Sequence, residues 1–77
     1  MELDRKPNDA ALAEEAGELF LQQGEDQKGL FWLHRALALD PRNVAGHRAL
    51  LAYYERTNNP AKAAEQREQL TALGPGQ

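Results

Sequence analysis

The sequence predicts an all-α fold of two stacked, antiparallel helix-turn-helix units, and three observations carry that prediction. Pro7, Pro41 and Pro75 recur at a constant step of 34 residues, and an internal period of that size marks stacked structural repeats. The segments before the prolines correspond: Leu3-Asp4-Arg5-Lys6, Leu37-Ala38-Leu39-Asp40 and Thr71-Ala72-Leu73-Gly74. At the same step Ala11 recurs as Ala45, Phe20 as Tyr54, Lys28 as Lys62 and Leu39 as Leu73, while no segment alternates as a strand would.

The first helix is expected over about Asp9 to Gln23. Asn8 or Asp9 can accept from its free amides. Leu12, Ala16, Leu19 and Phe20 fall on one face at i, i+4, i+7 and i+8. Gly24 supplies the left-handed residue that commonly closes a helix. The second is expected over Asp26 to Leu39, with Leu30, Leu33, Ala36 and Leu37 as its stripe and Asp40-Pro41 as its stop. The third runs from Val44 to Thr57 behind an Asn43 cap, with Leu50, Leu51 and Tyr54 inward. Gly46 in its first turn costs up to about 1 kcal/mol relative to alanine. After Asn58-Asn59 the fourth starts at Pro60, a favourable first helical position, and ends near Leu73 before Gly74-Pro75. Short connections require neighbouring helices to run antiparallel.

Bulk properties narrow the classes. Seventy-seven residues make one domain, and a chain this short buries only about 60–65% of its extended surface. Much of the 42% hydrophobic content is alanine, so the core must be thin and closely spaced. A net charge of −3 gives no electrostatic drive toward nucleic acid or an anionic membrane. The absence of cysteine excludes disulfides and thiolate metal sites and favours a reducing, cytoplasmic setting. No apolar run reaches bilayer length, and the first residues lack the apolar core of a signal peptide.

The punctuation of each unit is family-specific. In the first unit Gly17 is a small residue placed for close helix approach, Phe20 an aromatic in the first helix and Gly24 a turn glycine; Leu33, Ala36 and Pro41 follow. The second unit keeps Leu50, Tyr54, Ala63 and Pro75, and departs at Leu51, Asn58, Arg67 and Leu70. This pattern resembles the tetratricopeptide repeat, a 34-residue helix-turn-helix unit. The resemblance covers nearly the whole chain: repeat 1 at 9–43 and repeat 2 at 44–77, with 1–8 read as the tail of a preceding repeat or a leader. It implies a fragment of a right-handed superhelical α-solenoid. The fourth helix carries Glu65 to Gln69 where the second has Phe31 to Arg35, the loss of a second apolar face that a terminal, solvent-facing cap requires.

The resemblance also implies a function. Such repeats hold an extended peptide or a partner subunit in a concave groove lined by each unit's first helix. Mapped onto this sequence, that face takes Ala11, Glu14, Glu18, Leu21 and Gln22 from repeat 1, and Ala45, Arg48, Ala52, Glu55 and Arg56 from repeat 2. A peptide with a cation near Glu14 and Glu18 and a carboxylate near Arg48 and Arg56 would be complementary, which tunes partner choice more than affinity. The structural alternative is that Glu14 and Arg48 neutralise each other side by side, an exposed pair worth roughly 0–1 kcal/mol. Some family members clamp a terminal carboxylate with lysine and asparagine on this face; Glu14 and Glu18 stand in those places here, against such a clamp.

The remaining candidates point away from catalysis. Phe31 is expected to pack against the third helix or the convex rim, and Trp32 is a candidate aromatic contact for a partner. His34 and His47 have no carboxylate or cysteine partners at ligand spacing. Glu14, Glu15 and Glu18 read as a solvated helix face that favours the N-terminal half of the helix dipole. Gly74-Pro75-Gly76 follows no strand and opens no helix, so it is not a phosphate loop. With no serine in the chain, a serine nucleophile is impossible. The expectation is a non-enzymatic interaction module without metal or cofactor, within a larger repeat protein or beside another domain, that binds a protein or peptide rather than nucleic acid or membrane. The alternative is a structural module that self-associates weakly, as a homo-oligomer, through its open N-terminal face around Leu12, Ala13 and Ala16.

Overall fold

Four helices in sequence, α1 (Ala10–Gln22), α2 (Asp26–Leu39), α3 (Val44–Arg56) and α4 (Pro60–Ala72), make up the fold. The computed structural model describes residues 9–74, and no strand occurs among them. Pro7, Asn8, Pro75 and the readings that rest on residues 1–8 and 75–77 lie outside the described residues.

The starts of α1, α3 and α4 follow from side-chain caps, whereas Glu25 before α2 makes no side-chain cap. Asp9 Oδ1 accepts from the amides of Ala11 and Leu12 at 2.9 and 3.3 Å. Asn43 Oδ1 accepts from Gly46 at 2.7 Å, and Asn59 Oδ1 from Lys62 at 3.3 Å, with Pro60 as the first helical residue. The helix ends repeat at the 34-residue step. Gly24 and Asn58 both hold positive φ, +82° and +61°. The amides of Glu25 and Asn59 reach back to the carbonyls of Phe20 and Tyr54, each at 2.8 Å. That six-to-one bond beside a left-handed residue is the Schellman closure. Asparagine tolerates the left-handed region better than most residues, so the departure from glycine at Asn58 leaves the turn unchanged. Gln23, Thr57 and Leu73 serve as C-caps rather than helical residues.

α1 packs chiefly on α2 and α3 chiefly on α4, with lighter contacts from α3 to α2 and to α1. Gly17 and Gly29 let the first pair approach closely. A Cβ on Gly17 would lie 2.7 Å from Leu33 Cγ and 3.0 Å from the Gly29 carbonyl oxygen. One on Gly29 would lie 2.7 Å from Leu21 and 3.0 Å from the Gly17 carbonyl oxygen. Late α1 therefore meets early α2, as an antiparallel hairpin requires. At the same register the second hairpin has Leu51 and Ala63, and α3 and α4 touch less extensively than α1 and α2.

The core runs through Leu33, Leu50, Tyr54 and Ala63, with Leu21, Leu30, Leu37 and Leu51 packed around it. His47 is also buried. Its Nε2 lies 2.9 Å from the Pro41 carbonyl and its Nδ1 2.7 Å from the Gln66 side chain. Because a carbonyl only accepts, Nε2 carries a proton and donates to Pro41. The ring thereby ties α3 to the turn before it and to α4, and among the described residues no buried side-chain nitrogen or oxygen lacks a hydrogen-bond partner.

Three expectations are corrected. The inward face of α1 is Ala13, Gly17 and Leu21, so Ala13, expected on the open N-terminal face, is 5% exposed, whereas Leu12 and Leu19 of the apolar stripe are 46% and 56% exposed. Only α2 and the edge of α3 cover α1, so the rest of its apolar surface has no neighbour among the described residues. Phe31, expected to pack, is exposed, because it stands opposite Leu33 on α2; its ring meets that of Trp32 edge to face at 5.3 Å. Glu14, expected on a solvated face, is 8% exposed.

Candidate functional site

Where α1 and α3 lie side by side they leave an open groove of about 470 Å³. Glu18, Leu21 and Gln22 of α1 form one wall; Arg48, Ala49, Ala52, Tyr53 and Arg56 of α3 form the other. Each wall is one helix face read one turn at a time: 18 and 22 on α1, and 48, 52 and 56 on α3. The apolar floor of Leu21, Ala49 and Tyr53 is half-buried, and the charged and amide groups stand at the rims.

Six of the eight residues expected to face a groove line it together: Glu18, Leu21, Gln22, Arg48, Ala52 and Arg56. Glu14 and Glu55 do not. Glu55 turns to α4 and accepts from Arg67 at 3.0 Å. Glu14 lies one turn before Glu18 and is drawn into the interior. Ala49 and Tyr53 are lining residues that the reading of the sequence did not include. Tyr53 stands one turn past Ala49 and one turn before Arg56, so the same helical spacing could have found it. Trp32 is half-buried on α2, away from the groove.

The electrostatics differ between the walls. Burial, most of all, pushes the Glu14 carboxyl up to about 7 from 4.5, helped by a hydrogen bond to Glu18 and by repulsion from Glu18 and Glu15. Near neutrality the Glu14 carboxyl is therefore partly protonated, so this side carries less charge than two ionised glutamates suggest. Across the groove, Arg56 lies 3.4 Å from Asp26 of α2 and 5.4 Å from the centroid of the Tyr53 ring, a position that holds its guanidinium over the aromatic face. No ion pair joins Arg48 to Glu14 or Glu18 among the described residues, so the side-by-side neutralisation of Glu14 by Arg48 does not occur.

Elsewhere, no three histidine or carboxylate groups converge to hold a metal ion among the described residues. No helix there is long and apolar enough to cross a membrane. No family model, curated protein or solved structure matches the chain.

Proposed function

We propose that this chain is a non-enzymatic interaction module of the tetratricopeptide type, two hairpins of a right-handed solenoid, that holds an extended segment of a partner protein between α1 and α3. The observation that carries the reading is the groove itself: an apolar floor with Glu18 on one rim and Arg48 and Arg56 on the other, and no ion pair across it among the described residues. Such charges leave polar ends open for a ligand, while the floor offers the apolar area that supplies affinity. A segment with a cation toward Glu18 and a carboxylate between Arg48 and Arg56 satisfies both rims. Glu14 contributes through Glu18 rather than by contact.

Titration of ¹⁵N-labelled protein with extended peptides that vary the cation-to-carboxylate spacing tests this. Amides of Glu18, Arg48, Ala52 and Tyr53 move with the complementary peptide, and Arg48→Glu weakens its binding about tenfold, roughly 1.4 kcal/mol. If no peptide of the series shifts those amides, the groove is not a binding site and the reading fails.

A further inference from the structure

Glu14 and Glu18 stand one turn apart on α1, and only Glu18 reaches the groove. Glu14 is buried and donates a hydrogen bond to the Glu18 carboxylate. A carboxyl taken out of water is disfavoured in its charged form, and more so beside a second carboxylate. A cation would offset both effects, but among the described residues none does. The helices packed on α1 are α2 and α3. On α2, Lys28 meets Phe20 and Glu25, Asp26 meets Arg56, and His34 and Arg35 stand exposed. On α3, His47 is held by Pro41 and Gln66 and Glu55 by Arg67, while Arg48 stands exposed in the other wall of the groove. Tyr53 lies under Arg56, and Tyr54 is in the core. The charges that act on Glu14 are Glu18 and Glu15, both of its own helix. Its carboxyl is accordingly held up at about 7, with the proton on in mildly acid solution and off in mildly alkaline solution.

The groove is where a cation can arrive, because Glu18 lies on its rim. We infer, on the reading of the groove given above, that binding there is coupled to a proton: the cation of a bound segment, seated at Glu18, and the proton of Glu14 exclude one another, so the segment is held more tightly as pH rises through neutrality. The sign follows from the charges. With Glu14 protonated the pair presents one negative charge to the ligand; with Glu14 ionised it presents two. A cation at Glu18 favours the ionised pair, and seating it sends the Glu14 proton to solvent. The coupling is reciprocal: the proton weakens the hold on the cation by the factor by which the cation weakens the hold on the proton. Across an open rim that factor belongs at the low end of the usual range, about fivefold. Glu14 thus acts on the ligand without touching it, by setting the charge behind the carboxylate that does.

Isothermal titration calorimetry of the full chain tests this, with a capped, histidine-free extended peptide that carries one arginine and one glutamate. Its affinity rises about fivefold from about pH 6 to about pH 8. Near neutrality the heat of binding varies with the ionisation enthalpy of the buffer, in the direction of proton release. The same peptide with citrulline in place of arginine binds without either effect, and Glu14→Gln removes both for the arginine peptide. In wild type with ¹³C-labelled glutamate carboxyls, the Glu14 titration midpoint lies at lower pH in the complex than in the free protein, a readout that needs no variant. Equal affinity at the two pH values, a buffer-independent heat or an unmoved Glu14 midpoint overturns the inference and leaves the groove reading standing. A pH dependence that survives Glu14→Gln or the citrulline peptide does the same, because its source is then another group. If no peptide binds at any pH, the groove reading itself has failed and the coupling falls with it.

Discussion

Glu14 concentrates more physics than any other residue of the chain. Its neighbours on α1, Glu15 and Glu18, gave it the look of one carboxylate among several on a wet face. In the folded chain it is 8% exposed instead. Its folded-state pKa, raised from 4.5 to about 7, means that the native protein holds a proton the unfolded chain has released. The stability contributed by that proton is complete below pH 4.5, declines as pH rises and is gone above about 7. A tenfold change in proton affinity is worth about 1.4 kcal/mol, so the swing is on the order of 1–3 kcal/mol. The melting temperature therefore falls between about pH 5 and about pH 8. Glu14→Gln, which keeps a hydrogen-bond donor and removes the ionisation, flattens that part of the profile. Equal slopes for wild type and variant would refute the assignment.

Among the elements, the two hairpins share a register but not an extent of contact. Gly17 and Gly29 face each other across the first, each with the other's carbonyl 3.0 Å from where its Cβ would stand. Alanine at either site gains up to about 1 kcal/mol of helix propensity but pushes into Leu33 or Leu21 within a closely packed interface. Overpacking of that kind costs typically 1–3 kcal/mol. Denaturant titration of Gly17→Ala and Gly29→Ala thus yields net destabilisation, and a stabilised variant would show that the hairpin yields without strain. α4 occupies the other extreme. Ala63 is its single buried residue among those described. Amide exchange is accordingly fastest in α4 and slowest along α2 and α3, where Leu33 and Leu50 are fully enclosed. Protection in α4 equal to that in α2 would contradict this ordering.

At the scale of the whole molecule the chain is lopsided: an apolar face on α1 and α2, a polar one on α4, and a groove with opposite charges on its rims between α1 and α3. The number, order and approximate ends of the helices were legible in the sequence because they depend on local chemistry. Asp9, Asn43 and Asn59 cap amides within three residues of themselves, and Gly24 and Asn58 close helices by their own backbone preference. Most of the groove was legible too, since Glu18, Gln22, Arg48, Ala52 and Arg56 follow from helical spacing once the repeat register is known. Packing decided the rest. Helical periodicity places Leu12 and Leu19 on an apolar stripe, but whether a stripe becomes core depends on which neighbour arrives, and among the described residues α1 is met by α2 and the edge of α3. It likewise buried Glu14, turned Glu55 toward Arg67, left Phe31 in solvent and brought Tyr53 into the groove. The sequence by itself determined the helices and their repetition, because those are written in short-range hydrogen bonds and backbone preferences; the tertiary structure alone decided which faces are covered and what charge the groove carries, because burial and proton affinity belong to the assembled surfaces.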